Sequence, residues 1–205
     1  MTAYTSYMEQ VICVFGDSIS WGAWDEERGG WVNRLWLSLI EHNPYTQVYN
    51  LGIDGNTSIG ILGRFESEAK NRHATVLIFQ TGGNDAMMRS KEGDCQVSLD
   101  TFRKTIKEII NRSRSITDKI VFTDLRNCDE TKTMPVYWDE LYYTNEKIKA
   151  YSNELKSVCE AEGVQYLELE ELQEQDFNDG LHPNASGHQK IFLQVQNFLI
   201  KHSWI

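Results

Sequence analysis

Four short apolar runs, residues 11–15, 48–51, 76–79 and 120–122, constrain this chain more than any other feature, because each is too short for a helix and nearly unbroken. A strand with one wet face alternates apolar and polar residues, whereas an unbroken run suits a strand covered on both faces, as in a parallel sheet. A fifth run, residues 164–169, includes Gln165 and Glu168 and suits a sheet edge. Between the runs, Val32, Leu35, Trp36, Leu39 and Ile40 recur at helical spacing, as do Leu99, Phe102, Ile106, Ile109 and Ile110. Leu141, Ile148, Tyr151, Leu155 and Val158 mark a longer helix ahead of Gly163. Ile191, Val195, Phe198 and Leu199 mark the last one, opened by Pro183 and Asn184. Strands and helices thus alternate five times. With right-handed crossovers they predict an α/β fold, a three-layer α/β/α sandwich on a five-stranded parallel sheet, with the loops at the carboxyl ends of the strands sharing one rim.

With 205 residues, 40% of them hydrophobic, the chain can fill one good core, and no repeat or linker divides it. A single domain over residues 1–205 is expected. A net charge of -10 disfavours phosphate backbones and anionic headgroups, so neither nucleic acid nor stable membrane association is expected. Met1 to Gln10 lacks a basic stretch followed by an apolar one, and no apolar stretch is bilayer-length; a cytoplasmic location is the expectation. Cys13, Cys95, Cys128 and Cys159 lack metal-type spacing and read as free thiols.

Polar clusters punctuate this scaffold beyond the predicted strands: Gly16-Asp17-Ser18, Gly52-Ile53-Asp54-Gly55, Gly82-Gly83-Asn84-Asp85 and Asp179-Gly180-Leu181-His182. Each alone is ordinary turn chemistry. Together they supply what acyl transfer requires: a nucleophile, a base, an acceptor that orients the base, and donors for a developing oxyanion. Ser18 needs His182 to take its proton, and Asp179, three residues before His182, can hold the imidazole. The Ser18 and Gly52 backbone amides and the Asn84 side chain can supply the donors.

These motifs resemble the SGNH, or GDSL-type, hydrolases, block by block and in order over about residues 10–200. Gly16-Asp17-Ser18-Ile19 stands for the first block, Gly52 for the second, Gly82-Gly83-Asn84-Asp85 for the third and Asp179-Gly180-Leu181-His182-Pro183-Asn184 for the last. The resemblance implies a flavodoxin-like sandwich. It assigns Ser18, Asp179 and His182 as catalytic triad and Ser18, Gly52 and Asn84 as oxyanion hole. It also implies hydrolysis of a small-molecule ester through an acyl-enzyme without metal or organic cofactor. Short loops leave little material to cap a long acyl chain, which favours acetyl-type esters. The alternative is a non-catalytic carbohydrate- or acyl-binding module on the same fold.

Other residues are read as structural. Asp17 lacks the partner acids of a phosphatase or receiver site. His188, inside the last helix, reads as solvent-facing or capping, and His42, His73 and His202 as surface residues. Trp21, Trp24, Trp31, Trp138, Tyr142 and Tyr143 divide between core and substrate rim. Residues 21–30 and 128–139, both irregular, are expected to flank the site.

Overall fold

The computed structural model describes residues 10–205. The expectation drawn from Met1 to Gln10 lies outside the described residues except at Gln10. In chain order the elements are β1 (Val11–Gly16), α1 (Ser18–Trp21), α2 (Trp31–Ile40), β2 (Gln47–Gly52), α3 (Ser58–Leu62), α4 (Phe65–Asn71), β3 (Val76–Phe79), α5 (Gly83–Ala86), α6 (Leu99–Ser113), β4 (Ile120–Thr123), α7 (Glu130–Thr133), α8 (Asn145–Glu162), β5 (Gln165–Leu167) and α9 (Ala185–Lys201). All five strands pair in parallel, in the order β2-β1-β3-β4-β5. The order reverses beside β1, so a crevice opens between the carboxyl ends of β1 and β3, the customary ligand position in such sheets.

Alternation along the strands feeds two cores. Phe15, Leu77, Phe79 and Phe122 face α3, α4, α6 and α8, meeting Ile61, Phe65, Phe102, Ile106 and Leu155. Phe79 stacks on Phe15 at 5.6 Å and on Phe122 at 4.8 Å. On the opposite face Ile12, Val14, Val76, Ile78 and Val121 meet Trp31 and Leu35 of α2 and Ile191, Val195 and Leu199 of α9. With both faces covered, the central strands are wholly buried.

Three expectations need correction. β2 is an edge strand, only half-buried, although its apolar run predicted cover on both faces. Leu141 lies outside α8, which starts at Asn145 once Thr144 has capped it by accepting from the Lys147 amide. The crossover from β2 to β3 is split into α3 and α4. By contrast β5 does lie at an edge, and Asn184 opens α9 by accepting from the Ser186 and Gly187 amides. No helix among the described residues is long and apolar enough to cross a membrane.

Candidate active site

The turn after β1 is built to present a hydroxyl. Asp17 is the N-cap of α1, accepting from the Ile19 amide at 3.0 Å, and Ser18 is the first residue of that helix. Gly16 is required because a Cβ there would lie 2.1 Å from Ser20 Oγ. Burial pushes the Asp17 carboxyl from 3.8 up to about 6; the Ile19 amide and the nearby His182 pull the other way, and Asp85 adds to the rise.

The Asp-x-x-His spacing works through a tight turn. Asp179 Oδ1 accepts the backbone amides of Leu181 and His182, which leaves Oδ2 to take the His182 ring at 2.7 Å from Nδ1. The Asn178 amide donates to the His182 carbonyl and closes the loop. Burial opposes the charge on Asp179, but the ring and amide donors outweigh it and hold the carboxyl below its usual value. With Nδ1 donating to the carboxylate, Nε2 is the acceptor, and it lies 3.0 Å from Ser18 Oγ. An unbroken Ser18–His182–Asp179 relay therefore spans the chain from residue 18 to residue 182. Asp179 lies twelve residues past the end of β5, so it reaches the rim from a long loop and not from a strand end.

Asn84, on α5 after β3, meets the relay from the other side. Its Oδ1 accepts from the Tyr143 hydroxyl at 3.0 Å and its amide donates to the Asn56 carbonyl at 3.1 Å, leaving its second N–H for a ligand. Gly52 is the exception among the expected donors. Its N–H is already given to Asn50 Oδ1 at 3.0 Å, and a Cβ on it would lie 2.3 Å from the Trp21 backbone nitrogen. It packs behind α1 and is absent from the cleft lining. Gly55, three residues on, has φ +67° and lines the cleft, and its N–H bonds to no described residue.

A cleft of about 600 Å³ opens above Ser18, His182 and Asn84, walled by Trp21, Trp24, Tyr137 and Trp138, with Asp54, Arg89 and Gln96 further out. A second hollow of about 30 Å³, lined by Ser18, Thr81, Asn84, Leu125, Tyr143 and Leu181, lies beneath. The aromatic residues divide accordingly. Trp31 is wholly buried, Tyr143 is buried against Asn84, and Trp21, Trp24 and Trp138 stand exposed on the rim. Residues 21–30 and 128–139 do flank the site, through Trp21, Ala23 and Trp24 and through Tyr137 and Trp138.

His188 is a correction: it is fully buried, not solvent-facing. It accepts from the Trp31 amide at Nδ1 (3.2 Å) and donates from Nε2 to the Ala23 carbonyl (2.9 Å), so it does cap, but caps α2 and not its own helix. Burial lowers its basicity. His42 and His73 are exposed, and His202 is half-buried against Phe198. Sequence reasoning named Trp24 for core or rim but missed its link to the relay: the indole N–H donates to Asp179 Oδ2 at 3.0 Å.

A parallel sandwich with a serine–histidine–carboxylate relay at its switch point defines a class of hydrolase-like folds. Residues 14–190 match the GDSL-like lipase/acylhydrolase family, and the chain belongs to it. The GDSL esterase/lipase CPRD49 of Arabidopsis thaliana is 26% identical over 153 residues, covering 68% of this chain and 59% of the relative. Esterase TesA of Pseudomonas aeruginosa is 30% identical over 90 residues, covering 44% of this chain and 45% of the relative. The chain thus spans less than two thirds of either protein. Among solved structures, a catalytic mutant of Axe2, an acetylxylan esterase from Geobacillus stearothermophilus, superposes with a TM-score of 0.72 at 18% identity, covering 93% of this chain and 95% of that one. That likeness establishes the shared fold.

Proposed function

We propose that the chain is a serine ester hydrolase that acts through an acyl-enzyme on short acyl esters. The observation that carries this reading is the relay from Ser18 Oγ through His182 to Asp179, closed at 3.0 and 2.7 Å on the floor of the cleft. Ser18 Oγ attacks the acyl carbon as His182 Nε2 takes its proton, and Asp179 stabilises the imidazolium that forms. The oxyanion accepts hydrogen bonds from the Ser18 amide and the Asn84 side chain, with the Gly55 amide in the role first expected of Gly52. The intermediate collapses, the alcohol leaves with the proton from His182, and a water deprotonated by His182 then releases the acid and restores Ser18.

Pocket sizes support the short acyl group. The hollow shared by Ser18 and Asn84, at about 30 Å³, has room for one or two water-sized groups, which suits a methyl and not an octanoyl chain. The wide cleft then receives the alcohol, and its mixture of indoles with Asp54, Arg89 and Gln96 suits a polar, ring-bearing one.

Labelling with a fluorophosphonate, scored by intact mass beside hydrolysis of p-nitrophenyl acetate through octanoate, tests the reading. One adduct is expected, with turnover falling as the acyl chain lengthens. Ser18→Ala should lose both, turnover by about 10⁵ to 10⁶. Absence of an adduct on folded wild-type protein, or unchanged hydrolysis in Ser18→Ala, refutes it.

A further inference from the structure

Trp24 combines three features that seldom occur together. Its backbone has φ +66°, a region where a bulky side chain is a genuine outlier and costs free energy. The residue is 49% exposed, so burial does little to offset that cost. Its indole N–H nonetheless reaches Asp179 Oδ2 at 3.0 Å, the same oxygen that receives His182 Nδ1. All four lone-pair positions of the carboxylate are then occupied: Leu181 and His182 amides on Oδ1, imidazole and indole on Oδ2.

Both chain neighbours of Trp24 are pinned. The Ala23 carbonyl accepts from the buried His188 ring at 2.9 Å. The Asp25 carboxylate accepts the Gly30 amide at 2.9 Å and the Arg34 guanidinium at 2.8 Å, in a buried pair. These anchors hold the residue between them in its left-handed conformation, which aims the indole at Asp179. Trp138, which also lines the cleft, has its ring 5.6 Å from His182 but no hydrogen bond to the relay.

We infer that Trp24 is a positioning residue: its indole N–H fixes the Asp179 carboxylate, and through it the His182 ring, in line with Ser18. The inference rests on the ester-hydrolase reading only for its kinetic consequence. Removing this donor to a charged acceptor while keeping an aromatic wall, as in Trp24→Phe, lowers kcat roughly tenfold and leaves KM within about twofold. Trp138→Phe alters KM and spares kcat. Without substrate, the downfield proton resonance of His182 Nδ1–H moves in Trp24→Phe by more than the ring-current change that Trp138→Phe produces.

Should Trp24→Phe fail to fold, Trp24→Gly suits the left-handed backbone and gives the same kcat loss and resonance change. A raised KM with unchanged kcat, or a resonance that moves no further in a folded Trp24 variant than in Trp138→Phe, would reduce Trp24 to a pocket wall and overturn the inference. The resonance is read without ester turnover, so an inactive wild type would sink the hydrolase reading while the resonance still decides on Trp24.

Discussion

Replacing Asp17 by asparagine should make the protein more stable at neutral pH and slower as a catalyst. The carboxyl is buried beneath Ser18, and its value rises from 3.8 to about 6, chiefly through burial. A group whose value is higher folded than unfolded contributes its full stability below the unfolded value and loses it as pH rises through the folded one. The window here runs from about pH 4 to about pH 6, and about two units correspond to about 3 kcal/mol of destabilisation by the ionised form above it. Asparagine keeps an oxygen for the Ile19 amide at 3.0 Å, so the cap of α1 survives. Its new NH₂ needs an acceptor, which lowers the net gain to roughly 1–3 kcal/mol. For a chain of this size that is roughly 2–4 °C in Tm per kcal/mol. Thermal and urea unfolding of both proteins at about pH 4 and about pH 7.5 should show the advantage only at the higher pH. The ionised Asp17 also attracts His182, so Asp17→Asn should lower kcat by withdrawing support from the imidazolium. A variant that is less stable by the same margin at both pH values would refute the reasoning, because the charge would then carry no cost.

Two further outcomes follow from the site's supports. Tyr143→Phe removes the hydroxyl that holds Asn84 Oδ1 and should cost roughly threefold to tenfold in kcat, well below the 10² to 10³ expected of Asn84→Ala. In the Asn84→Ala background Tyr143→Phe should add little, and an additive loss in the double-mutant cycle would show that the hydroxyl acts elsewhere. Arg34→Gln leaves the buried Asp25 carboxylate without its cation and should destabilise by about 3–5 kcal/mol in urea unfolding. Burial opposes the charge on Asp25, but the Arg34 guanidinium and the loop amides hold its carboxyl at about 2; the stability it lends is present above the unfolded value of 3.8 and fades as pH falls toward 2.

What could be read from the sequence was whatever neighbouring residues decide. The apolar runs marked all five strands, and Gln165 and Glu168 marked β5 as an edge. The apolar run at residues 48–51 could not place β2 at the other edge, because lateral order depends on crossovers and on what covers each face. The Asp179–His182 pair was legible because its turn is closed by its own amides within four residues. Gly52 was a misreading with a local signal available. Asn two residues before a glycine can accept that glycine's N–H, and Asn50 does.

His188 carried a signal too, since helical spacing sets it on one stripe with Ile191, Val195 and Leu199, the dry face of α9. Its imidazole can be buried there only because two backbone groups, the Ala23 carbonyl before α2 and the Trp31 amide at its start, satisfy both ring nitrogens, and those lie 165 and 157 residues away in sequence. Trp24 and Asp179 stand 155 residues apart, and no periodicity or motif connects them. The division has a physical basis. The reacting groups sit on turns that their own local hydrogen bonds close, whether at a strand end as for Ser18 or in a longer loop as for His182, so a motif can record them. Groups that aim them arrive from distant loops through single contacts. The proposed ester hydrolysis therefore depends measurably on Trp24 and Tyr143 as well as on the four blocks, although neither residue belongs to a block.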